Sequence, residues 1–362
     1  MKVTVLGTGA SFSLLNGNVS YLLEEDGRRL LLDAGRPIPE MLKENGIDIK
    51  SIDDIYISHL HCDHIGGLEF IALSRYDWVN RPKVAFDPPF LNSVSAGVYF
   101  VQGKVVDISQ LAPALIGNHK LLEELWNKSL AGGLETMEGF EASLNTYFRV
   151  RPVQSNETFE WQGWTCKLIQ QIHIMSGSVI SSTFGLFMTK SGHKSLYFVT
   201  DSQHCSPRQI EIFYKEADVI FQDCELTGLD TKTKTMKFSS GVHANYAQLA
   251  GYKSANSVIL SDDIKAKMWL THYQDFFNSN KDFYGNDVAW QELAKDDGFK
   301  GFLVPGQVFE FKNNLEEIES WLESDEAVEK KREIEESSEK LSKSIKDSSN
   351  ISDELLKKRI DI

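Results

Sequence analysis

The apolar positions of the chain fall into short runs separated by polar turns, and the spacing within each run decides whether it reads as a strand or a helix. Residues 2–6 alternate and extend as a strand, followed by a tight turn over Gly7-Thr8-Gly9-Ala10-Ser11. Val19 to Glu24 and Arg28 to Leu32 read as a hairpin, because Asp26-Gly27 tolerates the positive φ that a two-residue turn demands. A helix is expected from about Pro39 to Asn45, stopped by Gly46. Ile55-Tyr56-Ile57 reads as a further strand, and a helix-like run starts near Leu68.

Beyond these, Val84-Ala85-Phe86 reads as a short strand before Pro88-Pro89. Residues 93–156 mix an extended Val98-Tyr99-Phe100-Val101, a helical Leu121 to Leu130, a Gly132-Gly133 break and Tyr147-Phe148. That span reads as an insertion, a cap beside a site or a dimer surface, with an ordinary αβ excursion as the alternative. The pattern then turns extended over Phe159 to Ile174, Ile180 to Met188 and Ser195 to Thr200, with a turn at Ser191-Gly192. Helices are expected over Arg208 to Lys215, His243 to Tyr252 and Asp287 to Ala294. Buried strands are expected at Asp218 to Phe221, Met268-Trp269-Leu270, Gly301 to Val304 and Val308 to Phe311. Two sets of strands, each followed by helices, predict an α/β protein with two sheets face to face and helices outside, an αββα four-layer sandwich.

This body ends near residue 313. Over residues 314–362 Glu, Lys and Ser dominate, and apolar residues thin to Leu315, Ile318, Trp321 and Leu322, then to scattered Ile and Leu. The first group has helical spacing and is expected to dock on the body; the remainder reads as a solvated helix or disordered tail, which a protein partner could use. The tail carries 15 acidic and 9 basic residues, so of the net charge of −14 it accounts for −6 and the body for −8. An acidic body disfavours any partner held through a long phosphate backbone. No stretch of eighteen apolar residues occurs, and residues 1–6 read as the start of a strand, not a signal peptide, so a cytoplasmic protein without a membrane partner is expected.

The chemistry concentrates in Ser58-His59-Leu60-His61-Cys62-Asp63-His64-Ile65-Gly66-Gly67. Alternate side chains of an extended segment share a face, so His59 and His61 can bind one cation from the same side. Asp63 and His64, past the turn, are left for a second cation. Imidazole nitrogen and carboxylate oxygen suit zinc, and manganese or iron accept them too. Cys62 reads as a packed or solvated thiol. The four cysteines (62, 166, 205 and 224) show no C-x-x-C pairing, so neither a disulfide framework nor a thiolate site is indicated. Two metals need further ligands, and His173, Asp201 and His272 each follow an apolar strand-like run whose end would deliver them into a common cleft. His119 and His193 read as turn residues facing solvent, and His204 as structural.

The stretch is an H-x-H-x-D-H signature, and on it the chain resembles the metallo-β-lactamase superfamily of dinuclear metal hydrolases. Asp223-Cys224-Glu225-Leu226-Thr227, Gly241-Val242-His243-Ala244-Asn245 and Leu270-Thr271-His272 resemble the later boxes of the ribonuclease Z group. The resemblance spans roughly residues 1–311 and itself implies the αββα sandwich. By position it implies one metal on His59, His61 and His173, a second on Asp63, His64 and His272, and Asp201 bridging them. It also implies a non-metal pair, Glu225 positioning His243, that assists phosphodiester cleavage. Asp33 matches an aspartate expected to hydrogen-bond a metal-binding loop, with a plain turn role as the alternative. Two cations about 3.5–4 Å apart share one water and lower its pKa from near 16 toward 7. Asp63 is expected to orient that water or accept its proton, and His243 to stabilise phosphoryl oxygens or protonate the leaving oxygen.

Ribonuclease Z enzymes that process tRNA commonly carry a long Gly- and Pro-rich arm, for which the interval from His173 to Asp201 is too short and residues 93–156 have the wrong composition. A related branch hydrolyses small cyclic nucleotides and includes phage-encoded enzymes that remove cyclic pyrimidine-nucleotide signals; the chain is similar to those as well. The expectation is therefore a homodimeric, two-metal phosphodiesterase acting on a small, cyclic nucleotide. The alternatives are an RNA 3′-processing endonuclease, a hydrolase of lactones, thioesters or sulfate esters, and a metal-binding scaffold without turnover.

Overall fold

The computed structural model describes residues 1–76, 112–137, 140–155, 157–203, 208, 210–252, 259–311 and 332, and the backbone alone at 98–101, 104–107, 210–211 and 317–320. The readings at Val84-Ala85-Phe86, at His204 and over most of the tail lie outside these residues.

Two large sheets carry the architecture. The first has eight strands in the order Arg149–Val153, Ala114–Asn118, Asp54–Tyr56, Arg28–Leu32, Ser20–Glu25, Lys2–Gly7, Val308–Phe311 and Glu317–Ser320. The second has seven, in the order Thr158–Trp161, Trp164–Ser176, Val179–Thr189, Leu196–Phe198, Val219–Asp223, Met268–Thr271 and Gly301–Phe302. Alternation along the strands of the second sheet explains how it is covered on both faces. Phe198, Phe221 and Trp269 turn toward the first sheet, while their neighbours Tyr197, Ile220, Met268 and Leu270 join a separate apolar cluster under the helices Tyr246–Ala250 and Trp290–Asp296. Across the seam, Phe309 of the first sheet meets Phe221 at 5.5 Å and Trp269 at 5.3 Å between ring centroids. The helices Ile38–Glu44 and Leu68–Arg75 bury Ile38, Met41, Leu42, Leu68, Ile71 and Ala72 on the first sheet. The four layers match the expected sandwich.

The predicted hairpin forms, with Asp26 at φ 49° and Gly27 at φ 75°. Four local readings are corrected. Residues 317–320 pair as an antiparallel strand beside Val308–Phe311, not as a docked helix, because that edge still offered unpaired backbone groups. The Gly132-Gly133 pair does not break the helical run but lies within Ala131–Leu134, where the bare Gly133 admits the carboxylate of Glu69. The helix expected from His243 begins only at Tyr246, because Asn245 caps it by accepting from the Gln248 amide. His119 opens the helix His119–Leu125, half-buried, instead of facing solvent from a turn. Of the 93–156 span, Ala114–Asn118 and Arg149–Val153 are parallel strands of the first sheet, with Ala114–Asn118 alongside Asp54–Tyr56.

Candidate metal centre

At one end of the seam the strands of both sheets stop and their following loops converge. The strand Asp54–Tyr56 feeds the extended His59-Leu60-His61, and His61 precedes the helical turn Cys62–Ile65 with ψ 151°. That backbone change separates the two halves of the signature. His59 and His61 project from extended chain and Asp63 and His64 from the helical turn. Gly35 is required at this point, since a methyl group there would strike the carbonyl of Asp63. His173 sits within the strand Trp164–Ser176, at an irregularity in pairing between Ile172 and Ile174, and not past its end as the apolar run suggested. The extra residue re-aims its side chain. Asp201 follows the strand Leu196–Phe198, and His272 follows Met268–Thr271 with φ 64°, a left-handed conformation fixed by its amide donating to the Thr8 carbonyl.

All seven expected ligand residues come together. His59, His61, His173 and Asp201 each offer one atom such that all lie within 4.8 Å of one another, and so do Asp63, His64, Asp201 and His272. Asp201 divides its carboxylate between the two groups. Its Oδ2 lies 3.8 Å from Nε2 of His59 and of His173, and its Oδ1 lies 3.2 Å from His64 Nε2 and 3.3 Å from His272 Nε2. Asp63 Oδ2 closes the second group, 3.3 Å from His64 Nε2 and 3.5 Å from His272 Nε2.

The opposite nitrogens are held from behind. His64 Nδ1 lies 2.7 Å from Asp33 Oδ2, and Asp33 also accepts from the amide and hydroxyl of Ser58, which fixes the start of the signature loop. Asp33 thus takes the loop-bracing role, not that of a plain turn residue. Ser58 Oγ in turn contacts His59 Nδ1 at 3.1 Å and accepts from Thr200 Oγ1. His173 Nδ1 donates to the Val242 carbonyl, and His272 Nδ1 lies 3.3 Å from Asp223 Oδ1.

These surroundings set the charges. Burial, with His64 adding to it, holds His59 well below its ordinary pKa, and burial also lowers His61 and His173. His64 and His272 go the other way. Against their burial, Asp201 raises both well above the ordinary range, helped by Asp33 and Asp63 at His64 and by Asp223 at His272. Asp201, although buried, is kept far below the usual carboxylate range by His272 and His64. Buried carboxylates that draw positive charge onto imidazoles make a demand that divalent cations meet. The nitrogens that would bind them are left waiting, since Nε2 of His59, His64 and His272 is buried without a hydrogen bond. The donor set, imidazole nitrogen with carboxylate oxygen, fits divalent metal ions.

The non-metal pair is corrected. His243 Nδ1 is held by Asp223, 2.9 Å from its Oδ2, and not by Glu225. Glu225 instead accepts from the Ser240 amide with both oxygens, and burial raises its pKa. Asp223 also accepts from the Ser202 amide, so it links Asp201's loop, His243 and His272. Ser11 was unexpected as well: its hydroxyl donates to Asp63 Oδ2 at 2.8 Å. The turn it sits in was visible in the sequence, but nothing local announced a partner 52 residues away. Cys62 is exposed, and His193 is half-buried, edge-on to Trp164.

Among known proteins, a family model described as "Anti-Pycsar protein Apyc1" matches residues 1–94 and 99–309. An anti-Pycsar protein Apyc1 of Bacillus phage vB_BveM-Goe7 is 27% identical over 283 residues, covering 76% of this chain and 89% of its own. One from Paenibacillus harenae is 28% identical over 276 residues, covering 76% and 90%. Among solved structures, the metallo-β-lactamase fold protein YhfI from Bacillus subtilis superposes with a TM-score of 0.54 at 16% identity, covering 85% of this chain and 98% of its own, which shows a shared fold. With the family model matching well over half of its length, the chain belongs to the Apyc1 anti-Pycsar protein family, within the metallo-β-lactamase fold.

Proposed function

We propose that the protein is a metal-dependent phosphodiesterase that hydrolyses a small cyclic nucleotide, with two zinc ions as cofactors. His59, His61 and His173 would hold one ion and Asp63, His64 and His272 the other, with Asp201 shared between the two groups. The observation that carries this reading is the division of the Asp201 carboxylate between two groups of imidazoles, in which Nε2 of His59, His64 and His272 is buried without a hydrogen bond. Family membership supports it, and the acidic body favours a small nucleotide over a long nucleic acid.

A metal pair at such a centre supplies a water of lowered pKa and polarises phosphoryl oxygens. The chain's own groups do the rest. Asp63, braced by the Ser11 hydroxyl, would orient that water or accept its proton. His243, held through Nδ1 by Asp223 with that nitrogen 4.0 Å from Asp201 Oδ2, would protonate the leaving oxygen through its other nitrogen. Glu225 acts at one remove, by fixing the Ser240 peptide of the loop that carries His243. Among the described residues no helix is long and apolar enough to cross a membrane, and we place the reaction in the cytoplasm, where nucleotides are made. A homodimer is supported by exposed Ile172, Met175, Val179 and Ile180 toward the end of the long hairpin of the second sheet.

The test incubates metal-loaded protein with 3′,5′-cyclic mononucleotides and, separately, with a precursor tRNA, alongside a metal count by mass spectrometry. Turnover of the cyclic mononucleotides with two zinc ions per chain, lost in Asp63→Ala, is expected. Cleavage of the RNA alone would reverse the substrate assignment, and bound metal without any turnover would make the protein a scaffold.

A further inference from the structure

The loop after the first strand holds an aromatic ring in solvent, next in sequence to Ser11, which touches the candidate centre. Phe12 is 94% exposed and Leu14 65% exposed. Burying such side chains is favourable, so a chain that leaves them out gains nothing for its own fold. Flexibility does not explain the exposure, because the loop is heavily tied down. The Asp275 carboxylate accepts from the Ser13 hydroxyl, the Leu14 and Leu15 amides and the Asn16 side chain. Backbone bonds join Thr8 to Asn16, Gly9 to Gly17 and Ala10 to Tyr273, the residue after His272. Ser11, next to Phe12, donates to Asp63. The ring of Phe12 is thus presented on a rigid support whose other contact is a ligand-type carboxylate.

We infer that Phe12 is a positioning residue on which the nucleobase of the substrate stacks. This rests on the phosphodiesterase reading and deepens it. The Ser11 to Asp63 hydrogen bond and standard chain geometry keep the Phe12 ring within ~13 Å of the Asp63 carboxylate. A mononucleotide with its phosphate at the centre and its base against the ring covers that span. Stacking on one aromatic face tolerates any base, since every base has a π-face, so the platform selects nucleotides as a class and not one base. The occupant is a nucleobase and not a protein side chain because the platform is continuous with the centre through Ser11.

The experiment compares wild type, Phe12→Ala, Phe12→Trp and Leu14→Ala on two substrates, cyclic cytidine 3′,5′-monophosphate and the abasic ribose 3′,5′-cyclic phosphate. Calorimetric binding of cytidine 5′-monophosphate is measured for each. Phe12→Ala is expected to lower kcat/KM for the nucleotide, and to weaken binding of the monophosphate, by roughly ten- to a hundredfold. The abasic substrate should be unaffected, Phe12→Trp should retain both properties, and Leu14→Ala should leave both substrates unchanged. Equal loss on the two substrates, or no loss on either, overturns the stacking role. Wild-type protein that turns over neither substrate overturns the phosphodiesterase reading itself, and the stacking role falls with it.

Discussion

The two halves of the metal centre are built to different standards. In the group of Asp63, His64 and His272 all ligand side chains are buried, and each imidazole has a carboxylate at its back, Asp33 behind His64 and Asp223 behind His272. In the group of His59, His61 and His173, His61 is half-buried, and the backing comes from neutral oxygens, the Ser58 hydroxyl and the Val242 carbonyl. A carboxylate behind an imidazole makes it a more basic ligand and fixes its orientation more firmly than a neutral acceptor does. On the proposed assignment, the Asp63 group would be the anchor and the His59 group the more open, exchangeable half.

The largest expected effect removes what both halves share: Asp201→Ala should reduce both metal content and turnover to background, read by mass spectrometry and phosphate release. Metal bound normally at either half in that variant would break the comparison at its root. Next, Asp33→Asn should weaken metal binding by about 10–100-fold, whereas Ser58→Ala should weaken it by less than about tenfold; competition with a chelating dye measures both. Equal losses would mean that the charge behind the imidazole does not matter. With wild-type protein, stepwise addition of a chelator should then remove one ion before the other, and a loss of both in one step would erase the ranking. Gly35→Ala, which pushes a methyl group at the Asp63 carbonyl, should cost about 1–3 kcal/mol of stability in thermal melts and loosen the Asp63 half first. Smallest of all, Cys62→Ser should leave turnover unchanged, as expected of an exposed thiol between ligands.

The sequence made the anchor half more legible than its supports. Most candidate ligands were readable because they stand at a change of pattern, where an apolar extended run meets polar chain, His272 after Met268–Thr271 and Asp201 after Leu196–Phe198, whereas His173 lies inside its strand at a pairing irregularity. Their supports are ordinary residues whose role appears only when distant loops meet. Asp223 and Glu225 are two residues apart, and nothing local told which of them would reach His243; the strand Val219–Asp223 ends so that Asp223 does. Ser11 is one of several small residues in a turn, and its partner is 52 positions away. The helical reading at 317–320 failed for a similar reason, because the unpaired edge of Val308–Phe311 outweighed the local spacing. The sandwich itself was readable because strand and helix periods differ so plainly along residues 1–75 and 159–311.

The opening strand Lys2–Gly7 lies between Ser20–Glu25 and Val308–Phe311, and the amino group of Met1 donates to the carbonyl of Phe311. On the ribosome, Lys2–Gly7 therefore waits for a strand made about 310 residues later before both of its edges are paired. The signature loop is made well before the loop that carries His272, and the candidate ligand set can close only once that later loop exists.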